Sequence, residues 1–105
     1  MELIDDPLFK RLLALEFTEE DLFLALGRSI TYSGPLTTSD TQLLTEVLEI
    51  AQRLRALVIN DKVVARWFND HIPAFSDQVP LVMISQGKIE DVARGVAGME
   101  GMIAS

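Results

Sequence analysis

The chain has 105 residues, no cysteine and a formal net charge of -7, and 49% of its residues are hydrophobic. This apolar content is enough for one packed core and excludes the composition of a disordered chain. The lack of cysteine removes disulfides, thiolate metal sites and a cysteine nucleophile, and the acidic charge disfavours binding to a phosphate backbone.

The first residues, Met1-Glu2-Leu3-Ile4-Asp5-Asp6, are acidic where a signal peptide would be basic. The sequence has no run of about 18 apolar residues, the length that a membrane span requires. We therefore expect a cytoplasmic protein that has no membrane partner.

Glycine and proline divide the sequence into helical segments, and no sustained apolar-polar alternation predicts a strand. Asp6-Pro7 is typical of a helix start, because a capping residue precedes proline at the first helical position. Thr18-Glu19-Glu20-Asp21 predicts a second helix that begins with a capping box, and Gly27 predicts its end. Residues 28–37 are predicted to form a connector.

A long helix with a wide apolar stripe is predicted next and would organise the fold. Its predicted cap is Thr38 or Ser39, and its predicted end is near Ile59. Glu49 and Arg53 are four residues apart on this helix, so they could form a supporting surface ion pair.

Three further helices are predicted over residues 62–69, 81–86 and 88–103. Pro73 and Pro80 restrict the segment after the first of these to an ordered, non-helical loop, and Gly87 ends the second helix. The sequence therefore predicts an all-α protein, a compact bundle of about five to six helices around one long central helix.

Gly95, Gly98 and Gly101 interrupt the last predicted helix at intervals of three residues. Each glycine costs the helix about 0.5 to 1 kcal/mol relative to alanine, so packing must hold the helix. We favour close packing of this face against the long helix over an intermolecular contact. We also expect self-association into a homodimer, through the small-residue face or through the long helix.

Candidate catalytic and metal-binding residues are few. His71 is the only side chain that titrates near neutral pH by its ordinary pKa, and Asp70 beside it would point about 100° away on a helix. Asp70, His71 and Asp77 do not have the spacing of a known metal site. We therefore predict no catalytic residue, no metal, no cofactor and no enzymatic activity.

The second half of the sequence contains a series of short motifs. In chain order they are Ala65-Arg66-Trp67-Phe68, Ile72-Pro73-Ala74-Phe75, Val79-Pro80-Leu81-Val82-Met83-Ile84, Gly87, Val92 and Val96, and Gly101-Met102-Ile103. Because of this order and spacing, the chain from about Leu36 onward resembles the toxin-binding domain of the Xre/MbcA/ParS-type bacterial antitoxins. Ser76-Asp77 stand where that family usually has a glycine pair.

The resemblance implies that residues 36–105 form the toxin-binding helical domain of an antitoxin from a type II toxin-antitoxin pair. The implied partner is a RES-domain toxin, an enzyme that consumes NAD or transfers ADP-ribose, whose active site the antitoxin would occlude. The residues that the resemblance places at the contact, or as shaping it, are Trp67, Phe75, Gly101, Met102 and Ile103. Trp67 also has a purely structural interpretation, as a core side chain.

Residues 1–35 are predicted to form an N-terminal helical segment that resembles a truncated helix-turn-helix, with residues 17–29 as its scaffold half. A recognition helix rich in basic and polar residues should follow. Instead Arg28 is the only cation between Arg11 and Arg53, which argues against DNA binding. The alternative function is a non-catalytic regulatory or adaptor domain that has lost both toxin and DNA binding.

Overall fold

The computed structural model describes residues 6–29, 31 and 36–104, with side chains described as far as residue 101. Its six α-helices are α1 (Pro7–Leu13), α2 (Glu19–Leu26), α3 (Thr38–Arg55), α4 (Asp61–Asn69), α5 (Pro80–Ser85) and α6 (Ile89–Ala104). A 3-10 helix, η1 (Pro73–Phe75), lies between α4 and α5. These ranges contain no β-strand, only an isolated antiparallel bridge. The predicted all-α bundle is confirmed.

The helix starts follow local capping chemistry. The Asp6 side chain accepts hydrogen bonds from two backbone N–H groups in the first turn of α1. Thr18 and Asp21 form the predicted capping box of α2, and Gly27 ends that helix in the left-handed conformation with φ +68.

The predicted bounds of α3 were wrong at both ends. Its cap is Thr37, because the carboxylate needed to complete a capping box, Asp40, lies three residues after Thr37. The helix ends at Arg55, well before Ile59. Asn60 starts α4 independently by accepting a hydrogen bond from the backbone N–H of Val63.

One hydrophobic core includes side chains from all six helices. α3 lies at its centre, with α1, α2, α4 and α6 packed against it, while α5 packs against α2, α4 and α6. The N-terminal segment contributes the buried side chains Phe9, Leu12, Phe17, Leu22, Phe23 and Ala25. The rings of Phe17 and Phe68 meet edge to face with centroids 5.2 Å apart, which joins this segment to α4.

A charged contact ties the end of α2 to the start of α3. The Arg28 guanidinium donates to a carboxylate oxygen of Asp40 across 2.7 Å, and the same oxygen accepts from the backbone N–H of Thr37. Burial of Asp40 opposes its ionisation, but the hydrogen bonds from Thr37 and Arg28 outweigh this effect and hold its pKa below the ordinary value. Arg28 therefore has a structural contact that joins the end of α2 to the start of α3.

Candidate partner-binding surface

An aromatic cluster forms where α4 leads into the following loop. Phe68 is fully buried, while Trp67, the residue before it in α4, is half-buried. The Trp67 ring meets the rings of Phe68 and Phe75 edge to face, with centroids 5.1 and 5.8 Å away. Trp67 is therefore at the margin of the core, with one part of the side chain packed and another accessible.

The loop between α4 and α5 is closed by its own hydrogen bonds. The backbone N–H of Ile72 donates to the Gln78 carbonyl at 3.1 Å, and the Asp77 N–H donates to the Ile72 carbonyl at 3.0 Å. Pro73 begins η1 inside this closed loop. These bonds fix the position from which Phe75 reaches its neighbours.

Ser76 and Asp77 have left-handed backbone conformations, with φ of 57° and 63°. Residues with a Cβ lose about 1 to 2 kcal/mol in this conformation, whereas glycine adopts it freely. These are the two positions at which the resembled family usually has a glycine pair. The turn therefore has the backbone that a glycine pair favours, although the sequence lacks the glycines.

Phe75 rests against α6 at Gly95. A Cβ added at Gly95 would lie 2.6 Å from Cε1 of the Phe75 ring, so glycine is what allows the ring to approach. The predicted packing of the glycine face against the long helix is wrong at this position, because a loop side chain occupies it. The sequence signal indicated a close approach but did not identify the residue that makes it.

The other two glycines of α6 are open. A Cβ at Gly98 or Gly101 would meet nothing within 4 Å, so neither packs against α3. We call Phe75, Gly95, Gly98 and Gly101 the loop-α6 surface.

Of the predicted contact residues, Trp67 and Phe75 lie together and Gly101 is exposed on α6. The side chains of Met102 and Ile103 lie outside the described part of the chain.

An open groove of about 470 Å³ runs beside Phe75, between the loop and the first turns of α6. Its lining includes Met83 of α5 and the charged side chains of Lys88, Asp91 and Arg94. Met83 is a buried core side chain at the base of this groove, and its place there was not predicted because it depends on how α5 packs against the loop. The groove gives the loop-α6 surface a concave part that could receive a side chain from another protein.

His71 lies in the loop and is exposed. Its Nδ1 is 2.8 Å from the Asp77 carbonyl oxygen, which can only accept, so this nitrogen holds the proton. Across the described residues, no three His, Asp or Glu side chains are grouped so that they could hold a metal ion. His71 thus has a structural contact that closes the loop.

Comparisons with known proteins were made for the whole chain. Neither the protein-family models nor the curated proteins nor the solved structures gave a match. None of the described helices is both long enough and apolar enough to cross a membrane.

Proposed function

We propose that this protein is the antitoxin of a type II toxin-antitoxin pair and that it binds and occludes the active site of a RES-domain toxin. The toxin would be an enzyme that consumes NAD or transfers ADP-ribose. The antitoxin acts by covering the active site, so it needs no catalytic residue or cofactor of its own.

The main support is the backbone of the turn at residues 76 and 77. The resemblance alone assigns a glycine pair to these positions, and the chain adopts left-handed φ at both although it has Ser76 and Asp77 there. A left-handed pair is uncommon for non-glycine residues, so the agreement is not a general property of loops.

The order of the elements gives further support. The resemblance implies a long helix, a tryptophan-bearing helix, a proline-containing loop, a short helix, a glycine and a final helix. The chain has α3, α4 with Trp67, the loop with Pro73, α5, Gly87 and α6 in that order. Gly87 ends the short helix with φ +81.

Co-expression with a RES-domain toxin from the neighbouring gene tests the proposal. We expect the chain to restore growth and to co-purify with the toxin. Gly101→Arg should weaken both effects, because it adds a long cation at an exposed site with open space around it. Gln52→Arg, which adds the same group at an exposed position on α3, is the matched control and should leave both intact.

Two results would contradict the proposal. A toxin that remains toxic and does not co-purify with the chain would favour the regulatory or adaptor alternative. Equal protection by the folded Gly101→Arg and Gln52→Arg variants, whether retained or lost, would contradict a toxin contact at Gly101.

A further inference from the structure

A second groove, of about 250 Å³, lies between α3 and α6. Its floor is apolar and consists of buried Ile50 with half-buried Ile89 and Ala93. Glutamates lie on both of its sides, Glu46 and Glu49 from α3 and Glu90 from α6. We call this the acidic groove.

The acidic groove lies on the opposite side of α6 from the contact between Gly95 and Phe75. Ala93 lines the groove, and the Phe75 ring packs against Gly95. Residues two apart on an α-helix point about 200° apart. A partner in the acidic groove would therefore not occupy the part of the loop-α6 surface around Phe75 and Gly95, and this inference does not rest on the proposed function.

The charge of the groove is largely uncompensated. Among the described residues, none of the three glutamates forms an ion pair within 4 Å. Arg53 lines the same groove but pairs with Glu100 on α6. This hydrogen bond, together with a smaller attraction from Glu49, raises the pKa of the Arg53 guanidinium, so the charges of Glu46 and Glu90 are the less compensated ones. Three carboxylates over an apolar floor favour a ligand that is both cationic and apolar.

The groove also has a direction. α3 and α6 run in the same direction. The three glutamates lie nearer the start of each helix, and the ion pair between Arg53 and Glu100 lies nearer the end of both. A bound cation would thus lie near Glu46 and Glu90, away from the guanidinium of Arg53. A second copy of the chain is a poor occupant, because the apolar face of its basic helix α1, including Phe9 and Leu12, is buried in its own core.

We propose that the acidic groove binds a basic amphipathic helix of a partner protein. One or two apolar side chains of that helix would contact Ile89 and Ala93, and its lysines or arginines would face the three glutamates. This is the helix-in-groove mode, in which the apolar contact supplies affinity and the surrounding charges fix orientation and partner choice.

The probe is a fluorescein-labelled amphipathic Leu/Lys peptide of about 14 residues, long enough to form a helix on binding. Its affinity is measured by fluorescence anisotropy at an ionic strength of about 0.15 M, where distant charges are screened. The triple variant Glu46→Gln, Glu49→Gln and Glu90→Gln should weaken binding by about tenfold or more, which corresponds to at least about 1.4 kcal/mol.

The control triple variant removes the same charge elsewhere, at Glu16, Glu19 and Glu20, each changed to glutamine. It should change the affinity by less than about threefold, because these side chains lie around the start of α2. Ala93→Arg should abolish binding, since it places a bulky cation on the groove floor.

Three results would overturn the proposal. The first is an equal loss of affinity in the two triple variants, which would mean that net charge alone attracts the peptide. The second is equal binding of a Leu/Glu peptide, and the third is no binding of the Leu/Lys peptide. Light scattering that shows a wild-type dimer converted to monomer by Ala93→Arg would instead assign the groove to a second copy.

Discussion

Gly95 and Gly98 are nearly one turn apart on α6, but alanine would meet different surroundings at the two positions. At Gly98 the added methyl has open space, so Gly98→Ala should stabilise the fold by about 0.5 to 1 kcal/mol through helix propensity. At Gly95 the methyl would overlap the Phe75 ring. The resulting overpacking costs about 1 to 3 kcal/mol, so Gly95→Ala should give no net gain or a loss.

Urea unfolding of the two variants beside the wild type measures this difference directly. Gly95→Ala combined with Phe75→Ala is a further control, because removal of the ring should restore most of the gain from alanine at position 95. If Gly95→Ala and Gly98→Ala stabilise the protein equally, the ring does not rest on Gly95 in solution.

The site residues differ in how far the sequence could predict them. The glycine spacing predicted a close approach to the long helix, but a close approach occurs only at Gly95 and is made by Phe75. The proline pair predicted an ordered, non-helical loop, and the loop is ordered by its own hydrogen bonds but contains the 3-10 helix η1. The identity of the approaching group depends on tertiary packing, so Phe75 could not be paired with Gly95 in advance. The left-handed φ of Ser76 and Asp77 could not be predicted from their residue types either, because neither type requires it.

At the scale of secondary-structure elements, the capping boxes of α2 and α3 differ in one respect. Each has a threonine cap and an aspartate three residues later, but only Asp40 also binds an arginine. Asp40→Asn should therefore cost about 1 to 3 kcal/mol at pH 7. The equivalent change at Asp21, which is the matched control, should cost a few tenths to about 1 kcal/mol.

The contribution of Asp40 should also depend on pH. Its pKa is lowered in the folded protein, so its carboxylate stabilises the fold above the ordinary Asp value of about 3.9. That stabilisation is lost as the pH falls through the lowered pKa, so wild type and Asp40→Asn should converge as the pH falls below the ordinary Asp value. Urea unfolding at a series of pH values on both sides of the ordinary Asp pKa measures this loss, and a difference that stays constant as the pH falls would contradict the assigned role.

The elements themselves were largely predictable because their starts depend on local chemistry. Asp6 and Thr18 lie where their side chains favour a helix start, and the structure confirms those starts. Contacts between helices were less predictable. Arg53 pairs with Glu100 on α6 instead of Glu49 on its own helix, because the parallel packing of α3 and α6 brings the more distant carboxylate within reach.

At the scale of the whole molecule, both halves of the chain depend on one core. The buried side chains from residues 9 to 25 supply apolar burial worth on the order of 10 kcal/mol, which is comparable to the total stability of a domain this size. We therefore expect a fragment of residues 36–105 to lack a cooperative unfolding transition, although the motifs of the resembled toxin-binding domain lie within it.

Circular dichroism of the fragment and of the full chain during urea unfolding provides the measurement. Phe17→Ala in the full chain gives a graded comparison, since it removes only the ring that meets Phe68 and should cost about 3 to 5 kcal/mol. A fragment that unfolds cooperatively at the same urea concentration as the full chain would show that the first 35 residues are dispensable for folding.

The position of Trp67 has an optical consequence. It is the only tryptophan in the chain, it is half-buried, and it lies 5.8 Å from the ring that rests on Gly95. Indole emission shifts to shorter wavelength when water is removed from around the ring. The protein therefore contains an intrinsic fluorophore at the loop-α6 surface, whose spectrum reports occupancy of that surface without any label.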